Sequence, residues 1–542
     1  MCSLKHAKVN ILGCCRITKA FPAKGNLLSQ FCPAHLPLST QTHSKMHQTF
    51  LLPFSLLLAA VLWLPAVTNA QKTDTPAIDF SSKGLTTVPN SVFRRKGLLS
   101  LRLSDNQLSA LPPRIGKLTN LTRLYLDQNR LAALPPEIGA LTNLAELDLS
   151  ENRLTALPPE IGKLINLTHL GLSLNSLSDF PPEVSKLTNL TELYWAGNLL
   201  QDIPSDIGML RNLTKLYVGF NMLSDLPPSI RLLTNLTELD LAANQFTVLP
   251  PMIARLTKLT VLILGANKLT SLPSEIGELI NLTELDLFEN QLTTLPTEIG
   301  KLTNLTRLVL EGNQLTTLPP EIGGLSNLTW LNLIQNKLTA LPPEIGNLVN
   351  LTDWLNLSEN RLTTLPPEVG GWTKLGMLIL DNNQLSALPP EIGRWTNLRE
   401  LNLWNNQLNA LPPEIGNLTN LKWLYLTKNR LTALPSEIGN LAKLLSFSLG
   451  NNQLASLPAE IGNLTSLTSL GLGNNQLTAI PPEIGNLSNL VELVLSGNQL
   501  TGLPPEIRRL TNLKKLNLTQ NPISETEREA IKRLLPTCEI TF

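Results

Sequence analysis

Cysteine and histidine are scarce in most of this 542-residue chain. Four of its five cysteines lie before residue 33, so residues 71–542 contain only Cys538 and one histidine, His169. No disulfide can form within residues 71–542, and no metal site of several histidines and cysteines can be assembled there. We therefore expect no metal and no cofactor, and we interpret His169 as a surface residue.

Basic charge is also lacking where a nucleic-acid surface would need it. The net charge is +1, but residues 1–70 hold six lysines and arginines and no acidic residue. Residues 71–542 therefore carry 37 basic and 42 acidic residues, a net charge of −5. Because neutralisation of phosphates dominates affinity for nucleic acids, this region is a poor candidate for binding them.

Only one long apolar run is present, at residues 49–67, and it ends in small residues before the polar segment that starts at Gln71. This pattern predicts a signal peptide over residues 46–70 with cleavage after Ala70. An uncleaved signal anchor is the alternative, because the run is nearly long enough to span a bilayer. The basic segment 1–45 is interpreted as an over-extended start, with an organelle-targeting extension as the alternative.

The dominant positive feature is a 23-residue repeat marked by 19 asparagines, with a single step of 24 residues. The unit reads L-T-R-L-Y-L-D-Q-N-R-L-A-A-L-P-P-E-I-G-A-L-T-N at residues 121–143. A fixed period in this range predicts a solenoid in which each repeat packs on its neighbours. The asparagines are Asn106, Asn129, Asn152, Asn175, Asn198, Asn221, Asn244, Asn267, Asn290, Asn313, Asn336, Asn360, Asn383, Asn406, Asn429, Asn452, Asn475, Asn498 and Asn521.

The leucine spacing predicts an α/β solenoid, a curved horseshoe with a parallel concave sheet of about 20 strands. Alternate residues of a strand point to opposite faces, so Leu124 and Leu126 point inward and Tyr125 outward. Pro136 and Glu137 suit the start of a short helical or 3-10 turn on the convex face, and Gly139 suits a bend after it. The asparagine amide is expected to bond backbone groups of its own turn and of the adjacent repeat.

Both ends of the array differ from the repeat. Residues 71–77 form a linker, and Lys83 takes the asparagine position in a degenerate first turn. Ser524 and Glu527 form a capping-box pattern that predicts a helix at about 525–534, followed by an edge strand. We therefore expect a repeat domain over 78–523, capped by 524–542, with no further domain.

The repeated phrase L-P-P-E-I-G-x-L-T-N-L-x-x-L-x-L-x-x-N-x-L resembles that of the Ras-group leucine-rich repeat proteins. This group includes Scribble-like scaffolds, plant intracellular proteins and bacterial secreted proteins. The resemblance implies a horseshoe that binds proteins, often in signalling or host contact. It does not imply a ligand.

Large apolar side chains gather at outward strand positions from the middle of the array onward. Protein-binding hot spots favour tryptophan and tyrosine, so these residues are our candidate partner-binding patch. The 24-residue step falls here, with the extra residue near Thr352–Asp353, and should bulge the strand. The patch comprises Phe288, Trp330, Ile334, Trp354, Ile379, Trp404, Trp423 and Tyr425; a second, smaller cluster comprises Tyr194, Tyr217 and Phe220.

Simple packing is the alternative for both clusters, since aromatic rings can stack across neighbouring strands without a partner. Trp195, Trp372 and Trp395 occupy inward leucine positions and are predicted to be core residues. The many Asn-Leu-Thr sequences match a glycosylation acceptor, but they share one position of the repeat, so packing also accounts for them.

Catalysis is not expected. The common nucleotide-binding, metalloprotease and serine-hydrolase motifs are absent. Carboxylate pairs such as Glu284 with Asp286 would lie on an open, solvated sheet, where nothing should separate their pKa values.

Together these features predict a monomeric, non-enzymatic scaffold that binds a protein on its concave face and is secreted, periplasmic or at the cell surface. A surface-adhesion or carbohydrate-binding protein is the alternative, because the tryptophans could stack on sugar rings.

Overall fold

A computed structural model describes residues 76–95, 97–352 and 354–542 of the chain. Our expectations for residues 1–75 lie outside these described residues. The repeat array belongs to one compact unit, residues 73–542.

The described residues form one open, entirely parallel sheet of 21 strands, in which each strand pairs with the next one along the chain. Equivalent leucines lie side by side, so Leu124 of one strand pairs with Leu147 of the next. The predicted leucine-rich-repeat solenoid is therefore confirmed. The strands are β1 Ala77–Asp79, β2 Ser100–Arg102, β3 Arg123–Tyr125, β4 Glu146–Asp148, β5 His169–Gly171, β6 Glu192–Tyr194, β7 Lys215–Tyr217, β8 Glu238–Asp240, β9 Val261–Ile263, β10 Glu284–Asp286, β11 Arg307–Val309, β12 Trp330–Asn332, β13 Trp354–Asn356, β14 Met377–Ile379, β15 Glu400–Asn402, β16 Trp423–Tyr425, β17 Ser446–Ser448, β18 Ser469–Gly471, β19 Glu492–Val494, β20 Lys515–Asn517 and β21 Glu539–Thr541.

A short 3-10 turn returns the chain between consecutive strands from β1 to β20. Pro136 shows why such a turn starts at this position, because proline lacks an N–H donor and the first residue of a helix does not need one. The turns span Val92–Arg94, Pro113–Lys117, Pro136–Ala140, Pro159–Lys163, Pro182–Lys186, Ser205–Met209, Pro228–Leu232, Pro251–Arg255, Ser274–Glu278, Thr297–Lys301, Pro320–Gly324, Pro343–Asn347, Pro367–Gly371, Pro390–Arg394, Pro413–Asn417, Ser436–Asn440, Ala459–Asn463, Pro482–Asn486 and Pro505–Arg509.

The glycine that most of these turns contain has a different role from the one that its sequence position suggested. Gly139 does not serve a bend; a Cβ atom there would lie 2.7 Å from the carbonyl oxygen of Glu160 in the next turn. Glycine therefore lets consecutive 3-10 turns approach closely, which keeps their spacing compatible with that of the strands.

The core is a continuous column of apolar side chains between the sheet and the turns, and its leucines and isoleucines are almost all fully buried. Trp195, Trp372 and Trp395 lie in it with no exposed surface, as their inward positions predict. Trp372 and Trp395 donate their indole N–H groups to the carbonyls of Ile345 and Val369, at 3.0 and 2.8 Å.

The asparagines connect neighbouring repeats at the turn after each strand. Asn267 donates from its amide nitrogen to the carbonyls of Leu241 and Leu264, both at 3.0 Å, and accepts the N–H of Phe246 at 3.0 Å. Because these backbone groups are buried, losing one asparagine should cost roughly 1–3 kcal/mol. The residue before each asparagine adopts a positive φ, including the bulky Phe220 at +53°.

The 24-residue step disturbs the sheet at one place. Other neighbouring strands pair through three residues, whereas β12 and β13 pair only through Leu331 with Leu355 and Asn332 with Asn356. The backbones of Trp330 and Trp354 are therefore not paired with each other, unlike the equivalent residues of the other strands. This is the local bulge that an inserted residue predicts.

At the C-terminal end, helix α1 spans Glu525–Leu534, and the Ser524 hydroxyl accepts the N–H of Glu527 at 3.3 Å. Ile531 of α1 is fully buried against the end of the core. Strand β21 then pairs with β20, so the last repeat is covered on its open side.

Candidate recognition surface

Three rows of side chains form the face of the sheet that points away from the core. Row A is the first residue of each strand, row B the third, and row C the second residue after the strand. Arg123, Tyr125 and Asp127 illustrate rows A, B and C in one repeat. Because equivalent residues are in register, each row runs along the array with one residue per repeat.

Row A alternates in charge through the N-terminal half. Arg123 pairs with Glu146 at 3.0 Å, Lys215 with Glu238 at 3.4 Å and, farther along, Arg307 with Glu284 at 3.0 Å. These bonds pair most of the charged side chains of row A in this half.

His169 belongs to this ladder of charges. Its Nε2 atom lies 2.6 Å from a carboxylate oxygen of Glu192, and this hydrogen bond raises the pKa of the imidazole. Burial alone would raise the pKa of the Glu192 carboxyl, but the hydrogen bonds from His169 and Tyr194 lower it below its ordinary value. His169 is therefore a partly exposed residue whose imidazole is hydrogen-bonded to the Glu192 carboxylate.

The tyrosines of the N-terminal half are engaged by neighbouring carboxylates. The hydroxyls of Tyr194 and Tyr217 donate to Glu192 and Glu238, and burial followed by these bonds raises the pKa of both phenols. Their rings stack at 4.9 Å. Tyr217 is only 4% exposed, so this part of the smaller cluster is packed within the sheet surface. Phe220 is partly exposed beside it.

Row B contains aspartates in the N-terminal half that fasten the chain after the strand. Asp240 and Asp286 accept the backbone N–H groups of Ala242 and Phe288 at 2.9 and 3.0 Å. Burial raises their pKa values to about 6 and about 7, respectively. Our expectation that nothing on this sheet would separate carboxylate pKa values is therefore wrong, because the open sheet surface still partly buries the aspartates of row B.

Most of the expected apolar patch lies on these rows as half-buried side chains: Trp330, Ile334, Trp354, Ile379, Trp404, Trp423 and Tyr425. Burial, followed by the charge of Glu400, raises the pKa of Tyr425 to about 12.

Phe288 corrects the expectation, because it is 1% exposed and cannot serve as an exposed contact. Its ring lies over Gly265, where an added Cβ would be 2.0 Å from the ring. A glycine 23 residues before a large row C residue was the available sequence signal.

The partly exposed tryptophans of the patch also contact neighbouring side chains. Trp330 and Trp354 pack with their ring centroids 5.2 Å apart, and the Arg307 guanidinium lies 3.8 Å from the centroid of Trp330. The ammonium of Lys428 lies 4.8 Å from the centroid of Trp404. Ring packing thus pre-orients part of the patch while leaving surface for contact.

A basic groove beside this patch did not emerge from the sequence. It has a volume of about 670 Å³ and includes Lys374, Arg399, Lys422 and Lys443 together with Trp423 in its lining. These cations lie just before the strands, outside the alternating positions that the sequence reading considered. The signal for two of them is an interruption in the row of threonines that precedes the strands, where Arg399 and Lys422 replace threonine.

The part of the chain that the structure describes contains no group of three or more histidine, cysteine, aspartate and glutamate side chains arranged to hold a metal ion. In the same residues, no helix combines the length and apolar character needed to cross a bilayer.

Comparison with protein families agrees with this geometry. A family profile described as leucine rich repeat matches residues 142–200, 211–269, 257–315, 303–362 and 465–523, and a leucine-rich repeat region matches 389–474. The chain belongs to the leucine-rich repeat family. A search of curated proteins found no match to this leucine-rich repeat protein.

Several solved leucine-rich repeat structures are similar along most of the array. A protein of Leptospira interrogans is 37% identical with a TM-score of 0.57, covering 86% of this chain and 96% of its own. The Arabidopsis receptor kinase HAESA, in complex with the peptide hormone IDA and a co-receptor, is 32% identical with a TM-score of 0.66, covering 82% and 78%. YopM from Yersinia enterocolitica is 28% identical with a TM-score of 0.58, covering 83% and 88%.

Proposed function

We propose that this leucine-rich repeat protein is a non-enzymatic scaffold that binds a protein partner on rows A, B and C between β12 and β16. The observation that carries the proposal is the set of partly exposed tryptophans on these strands: Trp330, Trp354, Trp404 and Trp423. Large aromatic side chains on a rigid support lose little conformational entropy on binding and are enriched at binding hot spots.

The similarity to HAESA supports a polypeptide partner, because that protein is described in complex with a peptide hormone. Regular hydrogen bonding between repeats also favours binding with little rearrangement of the scaffold. The composition of residues 46–70 supports export to a secreted, periplasmic or cell-surface location.

The test is cross-linked capture of partners with the full chain, from separated intracellular and surface fractions. The variant Trp330→Ala/Trp354→Ala/Trp404→Ala/Trp423→Ala should lose a specific partner that the wild type retains. The fraction that supplies the partner tests the proposed location.

A matched control replaces four exposed apolar residues outside the three rows with alanine: Ile165, Val248, Ile280 and Val349. It should capture the partner as the wild type does. Equal capture by the tryptophan variant, with its thermal unfolding unchanged, would contradict the proposal. Binding on a carbohydrate array that Trp404→Ala abolishes, without any captured protein, would favour the adhesion alternative.

A further inference from the structure

The residue before each strand has a constant structural role in most of the array. Thr260 and Thr306 donate their hydroxyls to the carbonyls of Thr237 and Thr283, at 3.0 and 2.9 Å. These bonds only join one repeat to the previous one. We call this row of residues the leading row.

The leading row contains no threonine before strands β14–β17. Its residues there are Gly376, Arg399, Lys422 and Leu445, and threonine returns at Thr468. Arg399 and Lys422 keep the backbone bonds of the row, since Arg399 donates its N–H to Gly376 at 2.8 Å and Lys422 donates to Arg399 at 2.8 Å. The two long cationic side chains are therefore additions to an intact scaffold.

Two more lysines enlarge the positive charge. Lys374 and Lys443 replace asparagines two residues before the leading row, and their ammonium groups donate to Asn350 and Asn420, at 2.6 and 2.8 Å. Amide oxygens leave the positive charge of a lysine uncompensated. Within the described residues, none of the four cations of the groove takes part in an ion pair.

Taken with Trp423 and Met377, which line the same groove, these cations form a surface with both basic and apolar groups. Glu400 is the one carboxylate among the lining residues. The arrangement is unusual in an array whose residues 71–542 are acidic overall, with 37 basic and 42 acidic residues.

We propose that this groove binds an acidic polypeptide segment of the protein partner, with its carboxylates against Arg399 and Lys422 and an apolar side chain against Trp423. This inference rests on the proposed function and names the chemistry of the partner. Charge complementarity carries it: four cations and a single carboxylate line one groove beside the aromatic patch.

The size of the groove fits a short peptide. Its lining extends over about four neighbouring strands, which at ~4.8 Å per strand is roughly 15–20 Å. An extended chain rises ~3.3 Å per residue, so about five or six residues would cover it. A nucleic acid fits less well, because residues 71–542 are acidic overall and a longer polyanion would find no continuous basic surface there.

The test measures binding of the full chain to a fluorescein-labelled ten-residue peptide of alternating glutamate and leucine. A peptide with glutamine in place of glutamate is the neutral comparator. We expect saturable binding of the acidic peptide that weakens as salt is raised. Arg399→Glu/Lys422→Glu should weaken it by roughly tenfold or more, because both cations become like charges.

The chain itself offers a matched control, Lys258→Glu/Lys514→Glu. Lys258 occupies the same position as Lys374 and Lys443 and makes the same bond to an asparagine, Asn235, at 2.8 Å. Lys514 occupies the leading row in another repeat, where it is exposed. This variant has the same net charge as the groove variant and should bind the acidic peptide as the wild type does.

Equal weakening in both variants would overturn the inference, because net charge alone would then explain binding. Failure to bind the acidic peptide, or tighter saturable binding of heparin or of phosphatidylserine vesicles through Arg399 and Lys422, would overturn it too. Capture of the partner distinguishes the two proposals. If Arg399→Glu/Lys422→Glu still captures the partner that the tryptophan variant loses, the proposed function holds but the partner binds without an acidic segment in the groove.

Discussion

The two halves of the array use different residues to anchor the backbone that follows each strand. In both halves, a row B side chain accepts the backbone N–H of the row C residue. Asp240 and Asp286 do so before β11, and Asn332, Asn356 and Asn402 do so after it, at 3.1, 2.8 and 3.0 Å. The hydrogen bond is thus the requirement of the fold, while the charge on its acceptor is free to vary.

The surroundings explain why asparagine suits the C-terminal half. Asn332 also donates its amide N–H to Glu311 at 2.7 Å, and Asn402 donates to Asp381 at 3.3 Å. An aspartate at either position would repel these row C carboxylates. In the N-terminal half the aspartates face fewer acids of this kind, but their burial still favours the protonated form.

The largest expected effect comes from a cavity in the core where the two halves of the array meet. Leu310 is fully buried in the repeat between Asp286 and Asn332, so Leu310→Ala should cost ~2–5 kcal/mol by creating a cavity. Because repeats couple only to their neighbours, we expect the thermal transition to broaden or divide. Calorimetry measures this, and one sharp transition with an unchanged midpoint would contradict the assigned register.

A smaller effect should follow from exchanging the acceptor in the C-terminal half. Asn356 is 1% exposed, so Asn356→Asp should destabilise the protein by roughly 2–3 kcal/mol at pH 7 and much less at pH 4. Urea unfolding at the two pH values measures the difference. Asn517→Asp, at a more exposed site, is the control and should cost less; equal costs would show that burial is not the cause.

The reverse exchange should have the smallest effect. Asp240→Asn/Asp286→Asn keeps both acceptors and removes buried charge, so it should stabilise the protein at pH 7 by about 1–2 kcal/mol. The raised folded pKa values, about 6 and about 7 against an ordinary value of 3.8, mean that the folded state holds these protons more tightly. Their stabilising contribution is therefore complete below about pH 4 and is lost as the pH rises to about 7.

Urea unfolding between pH 4 and pH 8 tests this sign. The wild type should lose stability with rising pH more steeply than the variant over that range. Asp381, whose pKa burial raises to about 6, remains in both proteins and leaves a residual slope. Parallel pH profiles for wild type and variant would show that these aspartates do not titrate with folding.

The sequence predicted the fold well because one phrase, repeated in register, determines it. The position of Leu124 within L-x-x-L-x-L decides which side chains face the core, and Pro136 decides where a turn begins. Individual surface residues were harder, because their exposure depends on the neighbouring repeat. Phe288 is buried because residue 265 is glycine, and Tyr217 is covered because Glu238 lies beside it.

The spacing of the asparagine bonds has a consequence for how such a chain changes in length. Asn267 reaches one carbonyl 26 residues back and one N–H 21 residues back, and the same separations recur at Asn406. Gaining or losing a whole 23-residue unit therefore restores every bond across the new junction. A single inserted residue keeps the bonds of Asn360, at separations of 27 and 22 residues, but it removes a rung of the sheet between β12 and β13. The number of repeats is thus a property that whole-unit duplication or deletion can alter at little structural cost, whereas a single inserted residue costs one rung of strand pairing.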